Sequence, residues 1–151
     1  MTLDDDHKER SETVLTIESI HHVSIPVADL ERSKQFYHEV LGLSEIERPP
    51  FGFPGAWYQL GDRQLHLIVH PNSTFREGKM VDSRDIHFAI RVNSYRKTRD
   101  YLRSKGFHPD AEDELKKMKE SPHGTAGWPQ LYIMDPDRNV IELNAEQLDE
   151  A

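Results

Sequence analysis

Apolar and polar positions alternate at Val23, Ile25 and Val27, and again at Ile86, Phe88, Ile90 and Val92. A period of two predicts strands with one face buried. After each strand the pattern changes to a helical one, opened by a capping residue (Asp29 or Ser94) and stopped by a glycine (Gly42 or Gly106). These stretches resemble each other when residues 20–43 are set against 85–107. His22 then falls on His87, Ile25 on Ile90, Val27 on Val92 and Phe36 on Tyr101, and one residue of slippage brings Gly42 to Gly106. Further on, residues 63–67 lie over 139–143, which puts His66 on Glu142.

Between helix and last strand each copy has room for further strands, expected near 44–48 and 56–60 in the first copy and near 113–117 and 129–134 in the second. The reading is an α+β fold of two βαβββ modules. Module one spans about 17–70 and module two about 84–146, in a single domain over 17–146 that follows a flexible acidic tail at 1–16. A chain of 151 residues suits one domain.

Strand parity then selects residues. Opposite the apolar set of the first strand stand His22 and Ser24, and opposite that of 86–92 stand His87, Ala89 and Arg91. His66 sits between Leu65 and Leu67, and Glu142 between Ile141 and Leu143. All four occupy the face away from the helix, at equivalent places in the two copies. If the two sheets curl into one cleft, the four side chains converge there. Three imidazoles and a carboxylate suit zinc, iron, manganese, cobalt or nickel better than magnesium or calcium.

Composition narrows the chemistry. There are no cysteines, so disulfides, thiolate metal sites and cysteine nucleophiles are excluded, and imidazole and carboxylate are the strong metal ligands left. A net charge of -8 opposes nucleic acid or an anionic membrane as partner. No apolar run approaches the roughly 18 residues of a membrane span, and the polar start of the chain holds no secretory signal, so a cytoplasmic location is expected. The other histidines, His7, His21, His38, His70 and His108, show no such symmetry and read as structural or surface residues.

Residues 17–144 resemble the vicinal oxygen chelate superfamily, which includes glyoxalase I, methylmalonyl-CoA epimerase, bleomycin- and fosfomycin-resistance proteins and extradiol dioxygenases. The matching motifs are His22-Val23-Ser24-Ile25 leading to Phe36-Tyr37 and Leu41-Gly42-Leu43, and Tyr132-Ile133-Met134-Asp135-Pro136-Asp137 running into Ile141-Glu142-Leu143. The resemblance implies a cupped mixed sheet around one divalent metal held by His22, His66, His87 and Glu142. It also implies a small-molecule substrate bound through adjacent oxygens, with the metal as Lewis acid. Lyase or isomerase chemistry would run through a metal-stabilised enolate, with Glu142 or a metal-bound water as base. Glyoxalase I carries glutamate in the last strand of both modules; here His66 stands in the first, so Glu142 has no symmetrical partner. Relatives build the cup within one chain or by exchanging modules between two, which allows a homodimer.

Two alternatives stand beside this reading. His123, Leu131-Tyr132, Asp135-Pro136 and Glu142 resemble an extradiol dioxygenase signature, with Ser121 and Arg138 departing from it. It implies an iron triad of His22, His87 and Glu142, with His123 and Tyr132 handling protons and oxygen, although a bound His66 would occupy a position that dioxygen needs. The other alternative is a non-catalytic binder of the bleomycin-resistance kind, whose members typically lack the metal ligands that this chain keeps. Three segments and one residue remain. Asp135–Asn139 reads as a hairpin turn in which Arg138 or Asn139 takes the tight geometry, and His123–Trp128 as either a mobile loop at the mouth of the cup or a plain surface loop. Residues 49–57 read as an apolar rim or a dimer contact, and Arg91 as a partner for a substrate carboxylate or a neighbouring acid.

Overall fold

The computed structural model describes residues 14–149, so the tail expected at 1–16 lies outside the described residues as far as residue 13. The first sheet holds β1 (His22–Val27), β2 (Ser44–Ile46), β3 (Gly55–Leu60) and β4 (Arg63–Val69), ordered β1-β4-β3-β2. The second holds β5 (His87–Arg91), β6 (Lys119–Ser121), β7 (Gln130–Met134) and β8 (Val140–Asn144), ordered β5-β8-β7-β6. In both, the first strand runs parallel to the last and the other pairs are antiparallel. With α1 (Leu30–Gln35) and α2 (Tyr95–Ser104), this is the α+β fold of two βαβββ modules read from the repeat.

The helix signals behave as their chemistry requires. Asp29 Oδ1 accepts from the Arg32 amide at 3.1 Å and Ser94 Oγ from the Lys97 amide at 3.1 Å. Gly106, at φ 94°, lets the Phe107 amide return to the Leu102 carbonyl at 3.1 Å and close α2. In module one, α1 widens into a π-helical turn at Phe36–Val40, with the Leu41 amide bonded to the Phe36 carbonyl at 3.3 Å. The wider turn buries the consecutive residues Phe36 and Tyr37 together.

Two strand expectations are corrected. Residues 113–117 form a short 3-10 turn, because Asp113 caps it by accepting from the Leu115 amide at 2.9 Å, and β6 starts later, at Lys119. Ile86 is 83% exposed and packs under no helix. Asp85 Oδ1 accepts the Ile86 amide at 2.8 Å, and the strand begins only at His87.

One apolar cluster takes residues from both modules, including Val27, Tyr37 and Leu67 from the first and Leu102, Leu131 and Ile141 from the second. The turn after β7 adds a polar clamp. The Tyr37 hydroxyl donates to Asp135 Oδ2 at 2.8 Å, while Asp137 takes Arg32 Nη2 at 2.9 Å and the Ser33 hydroxyl at 3.3 Å. Burial pushes the Asp135 carboxyl up, against the hydrogen bonds from Asn139 and Tyr37. Arg138, not Asn139, takes the left-handed conformation, at φ 67°. Its guanidinium is tied to the Lys79 carbonyl and the Glu114 carboxylate, each at 2.8 Å. Among the described residues no helix is long and apolar enough to cross a membrane.

Candidate metal centre

In β1, Ile25 and Val27 are buried while His22 and Ser24 are exposed; in β5, His87, Ala89 and Arg91 are exposed while Phe88 and Ile90 are half-buried. This is the alternation that strand parity requires. β4 and β8 are interior strands, so His66 and Glu142 on them are buried, at 6% and 5% exposure. The registers match: Ser24 pairs with His66 and Ala89 with Glu142. Each first-strand histidine therefore lies two residues off the last-strand candidate, by the same offset in both modules.

In module two, His87 Nδ1 lies 2.8 Å from the Asp85 carbonyl oxygen, an acceptor only, so Nδ1 carries the proton. That directs Nε2, with its lone pair in the neutral ring, at Glu142 Oε1, 3.4 Å away. Two acceptors face each other there unless a proton or a cation lies between them. Three donors fix the carboxylate from its other sides. The Tyr132 hydroxyl donates to Oε1 at 2.8 Å, Gln130 Nε2 donates to Oε1 at 3.2 Å, and Asn144 Nδ2 donates to Oε2. Burial first, then the Glu142 hydrogen bond, pushes the Tyr132 phenol up to about 12. It stays a neutral donor at ordinary pH.

In module one, aromatic packing takes over this work. The His66 ring is stacked between His22 (centroids 4.0 Å apart, 17° between planes) and Trp57 (4.0 Å, 3°). Gln64 Oε1 lies 2.9 Å from His66 Nε2, and His21 Nδ1 lies 2.9 Å from His22 Nδ1. Burial, with His22, His21 and Arg48 adding repulsion, lowers the His66 pKa to about 4. The ring is neutral at physiological pH and keeps a lone pair for coordination.

The four candidates thus come together as two pairs, His22 with His66 and His87 with Glu142. Among the described residues no three potential ligands gather at one point in the chain, so the convergence of all four expected in one cleft is not reached. The reason is topological. β1 and β5 are edge strands of separate sheets, and an open cleft of about 1010 Å³ lies between them, lined by both His22 and His87. Tyr132 sits on Glu142, whereas His123 is exposed in its loop, and no hydrogen bond joins it to Tyr132 or Glu142 among the described residues. Sequence reasoning missed the groups that orient the candidates: Gln64, Gln130 and Asn144, and Trp57 in its stacking role. A signal existed for one of them. Trp57 pairs across the strands with His66 as Tyr132 pairs with Glu142, so the repeat made Trp57 the counterpart of Tyr132.

Comparison with known proteins agrees with the architecture. The family model of the Glyoxalase/Bleomycin resistance protein/Dioxygenase superfamily matches residues 19–143. Glyoxylase I 4 of Arabidopsis thaliana is 28% identical over 138 residues, covering 90% of this chain and 75% of that protein. Among solved structures, a protein assigned to the glyoxalase family from Bacillus anthracis superposes with a TM-score of 0.69 at 21% identity, covering 88% of this chain and 98% of that one. A mutant of the fosfomycin resistance protein FosX from Listeria monocytogenes, in a complex with Mn(II), superposes with a TM-score of 0.64 at 16% identity over 88% of this chain and 95% of that one. With a family model covering most of its length and the fold agreeing, the chain belongs to the glyoxalase/bleomycin resistance protein/dioxygenase superfamily.

Proposed function

We propose that the protein is a divalent-metal-dependent enzyme of lyase or isomerase type, acting on a small metabolite with adjacent oxygens. The observation that carries this reading is His87 Nε2 directed at a buried, triply hydrogen-bonded Glu142 carboxylate at 3.4 Å. A buried carboxylate is costly unless positive charge compensates it, and a cation held by imidazole and carboxylate together does so. With His22 and the neutral His66 as the other donors, the set suits zinc, nickel, cobalt, manganese or iron. The Mn(II) complex of FosX supports a metal in a protein of this fold. When bound, the metal supplies Lewis acidity to the substrate oxygens.

The rest falls to the chain itself. Tyr132, Gln130 and Asn144 hold Glu142 in one orientation, from which it removes the proton next to the substrate carbonyl. His66 stands where a second carboxylate would be, so proton transfer rests on Glu142 alone. Tyr132 spends its hydroxyl on Glu142 and His123 stands exposed, which favours this chemistry over ring-cleaving dioxygenation.

Two pairs on separate sheets must be joined to hold one ion, and a second copy of the chain is the partner we assign. Among the described residues β1 and β5 each pair with a strand along one edge alone. Ile17, Ile20 and Ile86 are 78%, 71% and 83% exposed, apolar area that a second copy would cover. A two-fold dimer would join module one of each copy to module two of the other and form two identical sites.

The test mixes two variants, one carrying His22→Ala and His66→Ala and the other His87→Ala and Glu142→Ala, with metal content read by elemental analysis. Neither variant alone should hold stoichiometric metal, and refolding them together should restore it to part of the population. A mixture as metal-free as its components would overturn the shared site. Wild-type protein without stoichiometric metal would overturn the metal-dependent reading altogether.

A further inference from the structure

Arg91 follows His87 by four residues on the same face of β5 and lines the same cleft. Of the two sequence readings of Arg91, pairing with a neighbouring acid is not what the structure contains. Arg91 makes no ion pair among the described residues, although the chain holds 27 acidic residues against 19 basic ones. Arg32, Arg76, Arg103 and Arg138 all have carboxylate partners.

Arg91 is nevertheless held in place. Its Nε donates to Asn144 Oδ1 at 2.6 Å, from the residue paired with it across β8, and its guanidinium carbon lies 5.9 Å from the Trp128 ring centroid. Asn144 in turn donates to Glu142. The guanidinium is therefore anchored two hydrogen bonds from the Glu142 carboxylate, with Nη1 and Nη2 making no hydrogen bond among the described residues. An arginine fixed through Nε, with an indole face within cation–π range, gives up part of its side-chain freedom before any ligand arrives, and its free fork matches the two oxygens of an oxyanion.

We propose that Arg91 is an anion-binding subsite beside the metal centre, and that the substrate carries a carboxylate or phosphate group in addition to its adjacent oxygens. This names the substrate class of the proposed site and rests on that reading for the metal, though not for the anion.

The test uses three small α-hydroxy ketones that differ in charge: hydroxyacetone, hydroxypyruvate and dihydroxyacetone phosphate. Each is titrated calorimetrically into metal-loaded wild type, Arg91→Gln and Arg91→Lys, with metal content measured on the same samples. Wild type should bind at least one anionic probe about ten-fold or more tighter than hydroxyacetone. Which anion binds tighter separates carboxylate from phosphate. Arg91→Gln should lose that preference while keeping its metal, and Arg91→Lys should keep part of it. No preference in wild type, or a preference that survives in Arg91→Gln, would overturn the subsite.

Titration of the metal-free protein with inorganic phosphate, followed by tryptophan fluorescence, separates the two readings. Phosphate binding that needs Arg91 in a protein that takes up no metal would sink the metal reading and leave the anion subsite standing. Metal uptake with no anion preference would do the reverse.

Discussion

In module one the last-strand candidate, His66, is a flat ring between two flat rings, His22 and Trp57, each 4.0 Å away. In module two the equivalent residue, Glu142, is a carboxylate held by Tyr132, Gln130 and Asn144. The strands, their order and their register are the same in both. Only the chemistry at matched positions differs. Stacking defines the plane of the His66 ring through dispersion and tolerates small displacements. Charge-assisted hydrogen bonds aim the Glu142 oxygens in particular directions and lose strength quickly when a partner moves. A duplicated scaffold can thus put a compliant neutral donor on one side of a site and a rigid charged one on the other.

That contrast should show first in the ligands themselves. His87→Ala should abolish stoichiometric metal binding, measured by elemental analysis, with the circular dichroism spectrum unchanged because the ring lies outside the apolar core. His66→Ala should only weaken it, since the charged, hydrogen-bonded Glu142 and its partner His87 both remain. Equal losses in the two variants would erase the distinction.

The supporting residues come next. Tyr132→Phe removes a directional donor and should weaken metal affinity by about 10–100-fold, the usual cost of losing a group that orients a ligand. Trp57→Leu keeps apolar bulk against His66 and should cost less than about ten-fold by the same competition titration. A larger loss for Trp57→Leu would mean that stacking holds its ligand as strictly as hydrogen bonding does.

The smallest effect is expected at His123. In an exposed loop, His123→Ala should change metal affinity and stability by no more than about 0.5 kcal/mol, roughly two-fold. A loss of activity by orders of magnitude there, with oxygen uptake on a catechol, would restore the ring-cleaving alternative.

Much of this is legible in the sequence. Apolar alternation, caps and glycine stops are local signals, and they marked β1, α2 and the modular repeat closely. Where a local pattern was ambiguous the reading slipped. Residues 113–117 had the composition of an edge strand, but the carboxylate of Asp113 captured a nearby amide and made a turn. Asp135 and Asp137 read as turn residues. They are also the clamp on Tyr37, Arg32 and Ser33, about a hundred positions earlier, which no turn signal could reveal.

By itself the sequence determined which side chains share a strand face, because side-chain alternation depends only on neighbouring residues. Together with the internal repeat, that singled out His22, His66, His87 and Glu142 and set Arg91 on the face of His87. Only the tertiary structure decided that these four meet as two pairs, that Trp57 stacks on His66, and that Arg91 finds an amide and an indole in place of an acid. Those outcomes depend on strand register and on the packing of segments far apart in the chain, and nothing within any one segment encodes them.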